Sequence, residues 1–156
     1  MELVQTLQQL NTAIANDCAY NSSAIVESFG FELVAQSGRA VVRDSRGKYY
    51  KLEGTRYGNS VDEHDRYRKI RKSKYRRFFA KITLVCPEVQ KVQFVRGELL
   101  SDLRLTLPAD TFERILAEKS TVVEKVGEFL GSKLIDTGAH NVIYDSEADK
   151  WFLIDY

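Results

Sequence analysis

Leu3, Leu7, Leu10, Ile14 and Cys18 recur three or four positions apart, which predicts a helix with one apolar face, ending near Asn21-Ser22-Ser23. The period then shortens to two. Phe31, Leu33 and Ala35 alternate with polar neighbours, Ser37-Gly38 interrupts, Ala40-Val41-Val42 resumes, and Asp44-Ser45-Arg46-Gly47 forms a turn before Tyr49-Tyr50-Lys51-Leu52. This pattern predicts three short antiparallel strands. Ser60 and Glu63 have the spacing of a capping box and open a second helix. Its inward stripe is expected to be Tyr67, Ile70, Phe78, Ile82 and Val85, with Cys86-Pro87 as the stop. A strand is expected over Gln90 to Arg96 and a short helix over Leu99 to Leu105. After Pro108, the apolar series Phe112, Ile115, Leu116, Val122, Val123, Val126, Phe129 and Leu130 predicts a long helix capped by Gly131. Val142-Ile143-Tyr144 and Trp151-Phe152-Leu153-Ile154, joined by a polar connector, read as a closing hairpin.

The chain has 156 residues, 44% hydrophobic and 29% charged, which suits one globular domain and excludes collagen-like or wholly disordered chains. No apolar run has the length of a membrane span, and the first residues lack the pattern of a secretory signal, so a cytoplasmic location is expected. Cys18 and Cys86 are far apart and the only histidines are His64 and His140, which removes the common zinc frameworks. Glycine-rich dinucleotide and Walker signatures are also missing.

The formal charge of +1 hides an asymmetry. Between Arg66 and Arg77 stand 8 bases and no acid: Arg66, Arg68, Lys69, Arg71, Lys72, Lys74, Arg76 and Arg77. The remaining 15 bases against 22 acids leave −7. Such a face is expected to bind something anionic: an acidic protein, a phosphorylated partner or a nucleic acid.

The densest chemistry lies near the carboxyl end. Asp136 precedes Asn141 by five residues, a hairpin follows, and Asp155 stands fourteen residues after Asn141 at the end of an apolar strand. Upstream, Lys51 sits on the third predicted strand, Glu63 in the first turn of the following helix, and Gly38 in a short strand-connecting turn. This order resembles the protein-kinase-like superfamily. The resemblance spans about residues 28 to 156. It implies an α+β, kinase-like fold within a single domain: an N-terminal helix over 1–22, an antiparallel N-lobe sheet with one helix over 28–98, and an abbreviated C-lobe with a long helix and a β-hairpin over 99–156.

It further implies an ATP- and magnesium-dependent phosphotransferase acting on a protein or small-molecule hydroxyl. Asp136 would be catalytic, orienting the acceptor. Asn141 and Asp155 would hold metal, and Lys51, Glu63 and Gly38 would bind the nucleotide, with Phe94 to Glu98 as hinge. The sequence departs from the family in four ways: no His-Arg precedes Asp136, Gly138 stands where many protein kinases carry a lysine, the glycine-rich loop is reduced to Gln36-Ser37-Gly38-Arg39, and Tyr156 follows Asp155 directly as the last residue. The expectation is therefore a minimal kinase without an activation segment. The alternative is a catalytically inactive kinase-like module, a pseudokinase, that binds a partner through its basic helix.

Overall fold

Alternating strands set the first half of the molecule and one long helix the second. The structure, a computed structural model, describes residues 2–17, 21–37, 39–54, 59–134 and 136–156. Among these residues are four α-helices and eight strands. The chain divides into two compact units: Met1–Asp65 with Lys81–Phe94, and Arg66–Ala80 with Val95–Tyr156.

The first unit holds α1 (Leu3–Ala15), α2 (Ser22–Ser28) and a five-stranded antiparallel sheet of β1 (Glu32–Ser37), β2 (Arg39–Arg43), β3 (Tyr49–Leu52), β4 (Ile82–Cys86) and β5 (Val89–Val92), in the order β1-β2-β3-β5-β4. Strand alternation sorts its side chains. Ala40, Val42, Tyr50, Leu52 and Val89 join Leu7 and Leu10 of α1 and Val26 of α2 in one apolar core. Lys51 and Gln90, directly opposite each other on β3 and β5, point to the other face, where polar residues of α3 (Asn59–Ile70) meet them.

The second unit packs α4 (Ala109–Leu130) on a three-stranded antiparallel sheet of β6 (Glu98–Leu99), β7 (Val142–Asp145) and β8 (Lys150–Leu153). Ile115, Val122 and Val126 are the buried stripe of α4, and they share a core with Phe79, Leu100, Val142, Trp151 and Leu153. Gly131 ends α4 in the left-handed region at φ 72°, as its position after the apolar series predicts.

Several elements differ from the sequence expectations. The first helix stops at Ala15, short of Cys18, which lies outside the described residues, and Ser22–Ser28 forms a separate helix. Asp17 explains the break, because its carboxylate accepts the Asn21 amide at 2.7 Å and the Ser22 hydroxyl at 3.2 Å. The basic helix does not run to Val85. It ends at Ile70, and Arg76–Phe78 form only a 3-10 turn. Ser73 donates its hydroxyl to the Ile70 carbonyl and accepts the Tyr75 amide, and continuing the helix would stack Arg68 against Arg71 and Lys72. Ile82 and Val85 belong to β4 instead, where the β-branched residues Ile82, Thr83 and Val85 favour extended backbone.

The Ser60–Glu63 capping box is not made either. Ser60 lies inside α3, its amide donates to the buried carboxylate of Glu53 at 3.3 Å, and Glu63 is engaged elsewhere. No helix forms over Leu99 to Leu105. Glu98 and Leu99 pair with Tyr144 and Ile143, and the Leu100 amide reaches the Val142 carbonyl at 2.8 Å, which keeps the entry extended before a series of turns. The strand expected over Gln90 to Arg96 is the shorter β5.

Candidate functional site

The expected site residues fall into two sets, one in each unit. In the first, Lys51 and Glu63 are each 5% exposed, and the Lys51 ammonium Nζ lies 3.2 Å from Glu63 Oε2. Strand register puts Lys51 on the face away from the apolar core, and the first half of α3 brings Glu63 to it. Two residues that sequence reasoning did not single out complete the group. The Arg39 guanidinium donates to both oxygens of Glu63, at 2.9 and 2.8 Å, and Gln90 Nε2 donates to Glu63 Oε2 at 2.8 Å and to the Ser60 carbonyl at 2.9 Å. A buried carboxylate is stable only when its charge is matched and its lone pairs are used, and the Arg39 fork meets both demands. The available signal was register: Arg39, Lys51 and Gln90 are polar residues on one face of neighbouring strands whose other face is apolar. Gly38 lies outside the described residues.

The second set sits on the segment after α4. Asp136 has φ 55°, a left-handed conformation that aspartate tolerates better than most residues. Asn141 is buried, and its Nδ2 donates to the Asp136 main-chain carbonyl at 2.8 Å. That bond fixes the turn and uses the donor end of the amide, so Oδ1 is the end left to accept or to ligate. His140 Nε2 lies 2.8 Å from Asp136 Oδ1, with both side chains 59% exposed. Gly138 makes room for this contact, since a Cβ there would stand 2.7 Å from the His140 ring. From α4, the Lys119 ammonium donates to the Thr137 carbonyl at 2.5 Å, and burial lowers its pKa from the ordinary lysine value.

The chain's last residues are tied to this segment through the backbone: the Ile154 amide donates to the Asn141 carbonyl at 3.0 Å. Asp155 follows, half-buried. Its neighbour Tyr156 is anchored by its hydroxyl on the Ala80 carbonyl at 2.7 Å, by an edge-to-face contact with Phe79, and by Arg66, which donates to the Tyr156 carbonyl at 2.9 Å. Asn141 and Asp155 offer an amide and a carboxylate oxygen, hard donors of the type magnesium takes alongside water. Among the described residues no group of three or more His, Cys, Asp or Glu side chains is placed to hold a metal ion.

The basic stretch divides by role. Arg66 is half-buried and serves the Tyr156 carbonyl, whereas Arg68, Lys69, Arg71, Lys72, Lys74, Arg76 and Arg77 are exposed. Phe94 and Val95, inside the segment read as a hinge, are where the chain passes from one unit to the other. No helix among the described residues is long and apolar enough to cross a membrane.

No family model and no curated protein matches the chain. Among solved structures it is similar to the kinase PK-1 of the Cydia pomonella granulovirus, with a TM-score of 0.52 and 16% sequence identity over 85% of this chain and 53% of that chain. At that identity the likeness is one of fold. The described residues have a kinase-like α+β fold with two antiparallel sheets and four α-helices, and the chain spans about half the length of the granulovirus kinase.

Proposed function

We propose that the protein is an ATP- and magnesium-dependent phosphotransferase acting on a protein or small-molecule hydroxyl. The observation that carries this reading is the buried Lys51–Glu63 pair on a kinase-like fold. A lysine held by a helix carboxylate presents a fixed ammonium to nucleotide phosphates, so its position is set before the ligand arrives. Arg39 and Gln90 stiffen that arrangement by locking Glu63 from two further directions.

In the second unit, the exposed carboxylate of Asp136 is the group that orients the acceptor hydroxyl and accepts its proton. His140 restrains that carboxylate, and the Asn141 bond to the Asp136 carbonyl holds the turn beneath it. Asn141 and Asp155 are the residues that would hold magnesium, which supplies neutralisation of phosphate charge when bound. The bases from Arg68 to Arg77 form a separate partner-binding face.

Thermal denaturation and labelling test the reading. Wild type should melt higher with ATP and magnesium, and Lys51→Met and Asp155→Ala should each abolish the increase. Transfer of label from [γ-32P]ATP should vanish in Asp136→Asn while the ATP-dependent increase persists. A thermal response without any labelling would favour the catalytically inactive alternative, and the loss of both would sink the nucleotide reading altogether.

A further inference from the structure

Five bases, Arg71, Lys72, Lys74, Arg76 and Arg77, stand exposed in the turns after α3, and none of them is ion-paired within the described residues. The stretch leads into a groove of about 820 Å³ in the second unit, bounded by the 3-10 turn at Arg76–Phe78, α4, and the end of the β7–β8 hairpin. Its apolar lining comes from Phe78, Val122, Trp151 and Phe152. The Phe78 and Trp151 rings are stacked with centroids 4.6 Å apart. Arg77 lies over Phe78 at 4.7 Å, and Lys74 lies over Tyr75 at 5.3 Å. On the α4 side, Glu118 accepts the Trp151 indole N–H at 3.0 Å, and Arg114 neutralises Glu118 and Asp149 at 3.1 and 2.6 Å. The groove therefore has Arg77 on one wall with Lys74 in the turn beside it, an aromatic floor, and an opposite wall whose acids are matched by Arg114 and which also carries Lys150.

We propose that this groove docks an acidic peptide segment carrying an apolar anchor, with its carboxylates on Arg77 in the groove and Lys74 in the turn beside it, and its anchor against Phe152. The choice of peptide over nucleic acid follows from what the aromatic rings already do. Single strands bind by stacking bases on free ring faces. Here Trp151 is 4% exposed, and Phe78 is covered by Trp151 and Arg77. The proposal does not rest on phosphoryl transfer, because every residue it uses belongs to this groove or to the basic turn beside it.

Trp151 is the only tryptophan in the chain, so its emission reports on the groove directly. The full chain should be titrated with a fluorescein-labelled synthetic peptide consisting of a run of glutamates followed by leucine and phenylalanine. Expected are a rise in anisotropy, a change in Trp151 emission, and weakening with added salt. The double variant Lys74→Glu/Arg77→Glu should bind about tenfold more weakly with an unchanged circular dichroism spectrum. Phe152→Ala should weaken binding of this peptide but not of an all-glutamate one, which separates anchor from charge. Lys51→Met, which tests the nucleotide reading, should leave peptide affinity unchanged. Absence of binding, equal binding by the charge-reversed variant, or tighter binding of single-stranded oligouridylate than of the peptide would overturn the proposal.

Discussion

At Gly97 the backbone φ is 129°, and an added Cβ would lie 2.3 Å from the Tyr144 carbonyl oxygen. Both the torsion and the contact are with rigid backbone, so no side-chain adjustment relieves them. Gly97→Ala should lower stability by more than ~1 kcal/mol, read as a drop in denaturation midpoint. At the hairpin end, the Tyr144 hydroxyl and then the Arg114 guanidinium hold the Asp149 carboxyl below its ordinary value of 3.8, while burial raises the Tyr144 hydroxyl. A carboxylate lowered on folding contributes stability that is complete above the ordinary value and is lost as pH falls through the lower, folded one. Acid titration of wild type should therefore show a loss of stability below pH 3.8 that is smaller in Asp149→Asn. Single positions were legible in sequence where a spacing signalled them. The Asp136–Asn141 interval marks a real hydrogen-bonded turn, but the partner of that bond is a main-chain carbonyl, which no side-chain pattern reveals.

On the scale of elements, α3 is the clearest case of a sequence signal read in two ways. Ser60 and Glu63 have capping-box spacing, yet the fold spends Glu63 on Lys51, Arg39 and Gln90, and Glu53 receives the Ser60 amide instead. Long-range pairing overrode the local rule because a buried cation pair needs a carboxylate more than a helix start does. Glu63→Gln leaves Arg39 and Lys51 without their shared charge in a buried site and should cost on the order of 3 kcal/mol in denaturant unfolding. Strands β1 to β3, the long α4 and the final hairpin were readable because periodicity and turn residues agree there. The stretch from Arg71 to Cys86 was not. Its apolar residues fit helical spacing, but the competing Ser73 hydroxyl and the crowding of like charges stop the helix at Ile70, and the same apolar residues then serve a turn and a strand.

At the scale of the whole molecule, the two apolar cores are separate residue clusters, one around Leu10 and Leu52, the other around Ile115 and Leu153. Leu10→Ala and Ile115→Ala each empty a fully buried site and should each cost about 2–5 kcal/mol. Hydrogen exchange should place the damage differently: faster exchange across β1 to β5 for Leu10→Ala, and across β6 to β8 and α4 for Ile115→Ala. Neither core was visible as separate in the composition, since apolar residues are spread along the chain and only topology sorts them.

The cationic stretch also has a physical cost. A formal charge of +1 and a pI near 7.7 leave the chain almost without net repulsion between copies at neutral pH, while 8 of its bases are concentrated in twelve positions. Colloidally, such a particle behaves as a dipole. In dilute buffer, copies attract one another with the basic pole of one against the acidic remainder of the next, and the second virial coefficient falls. Physiological salt, which confines these fields to about 8 Å, restores dispersion.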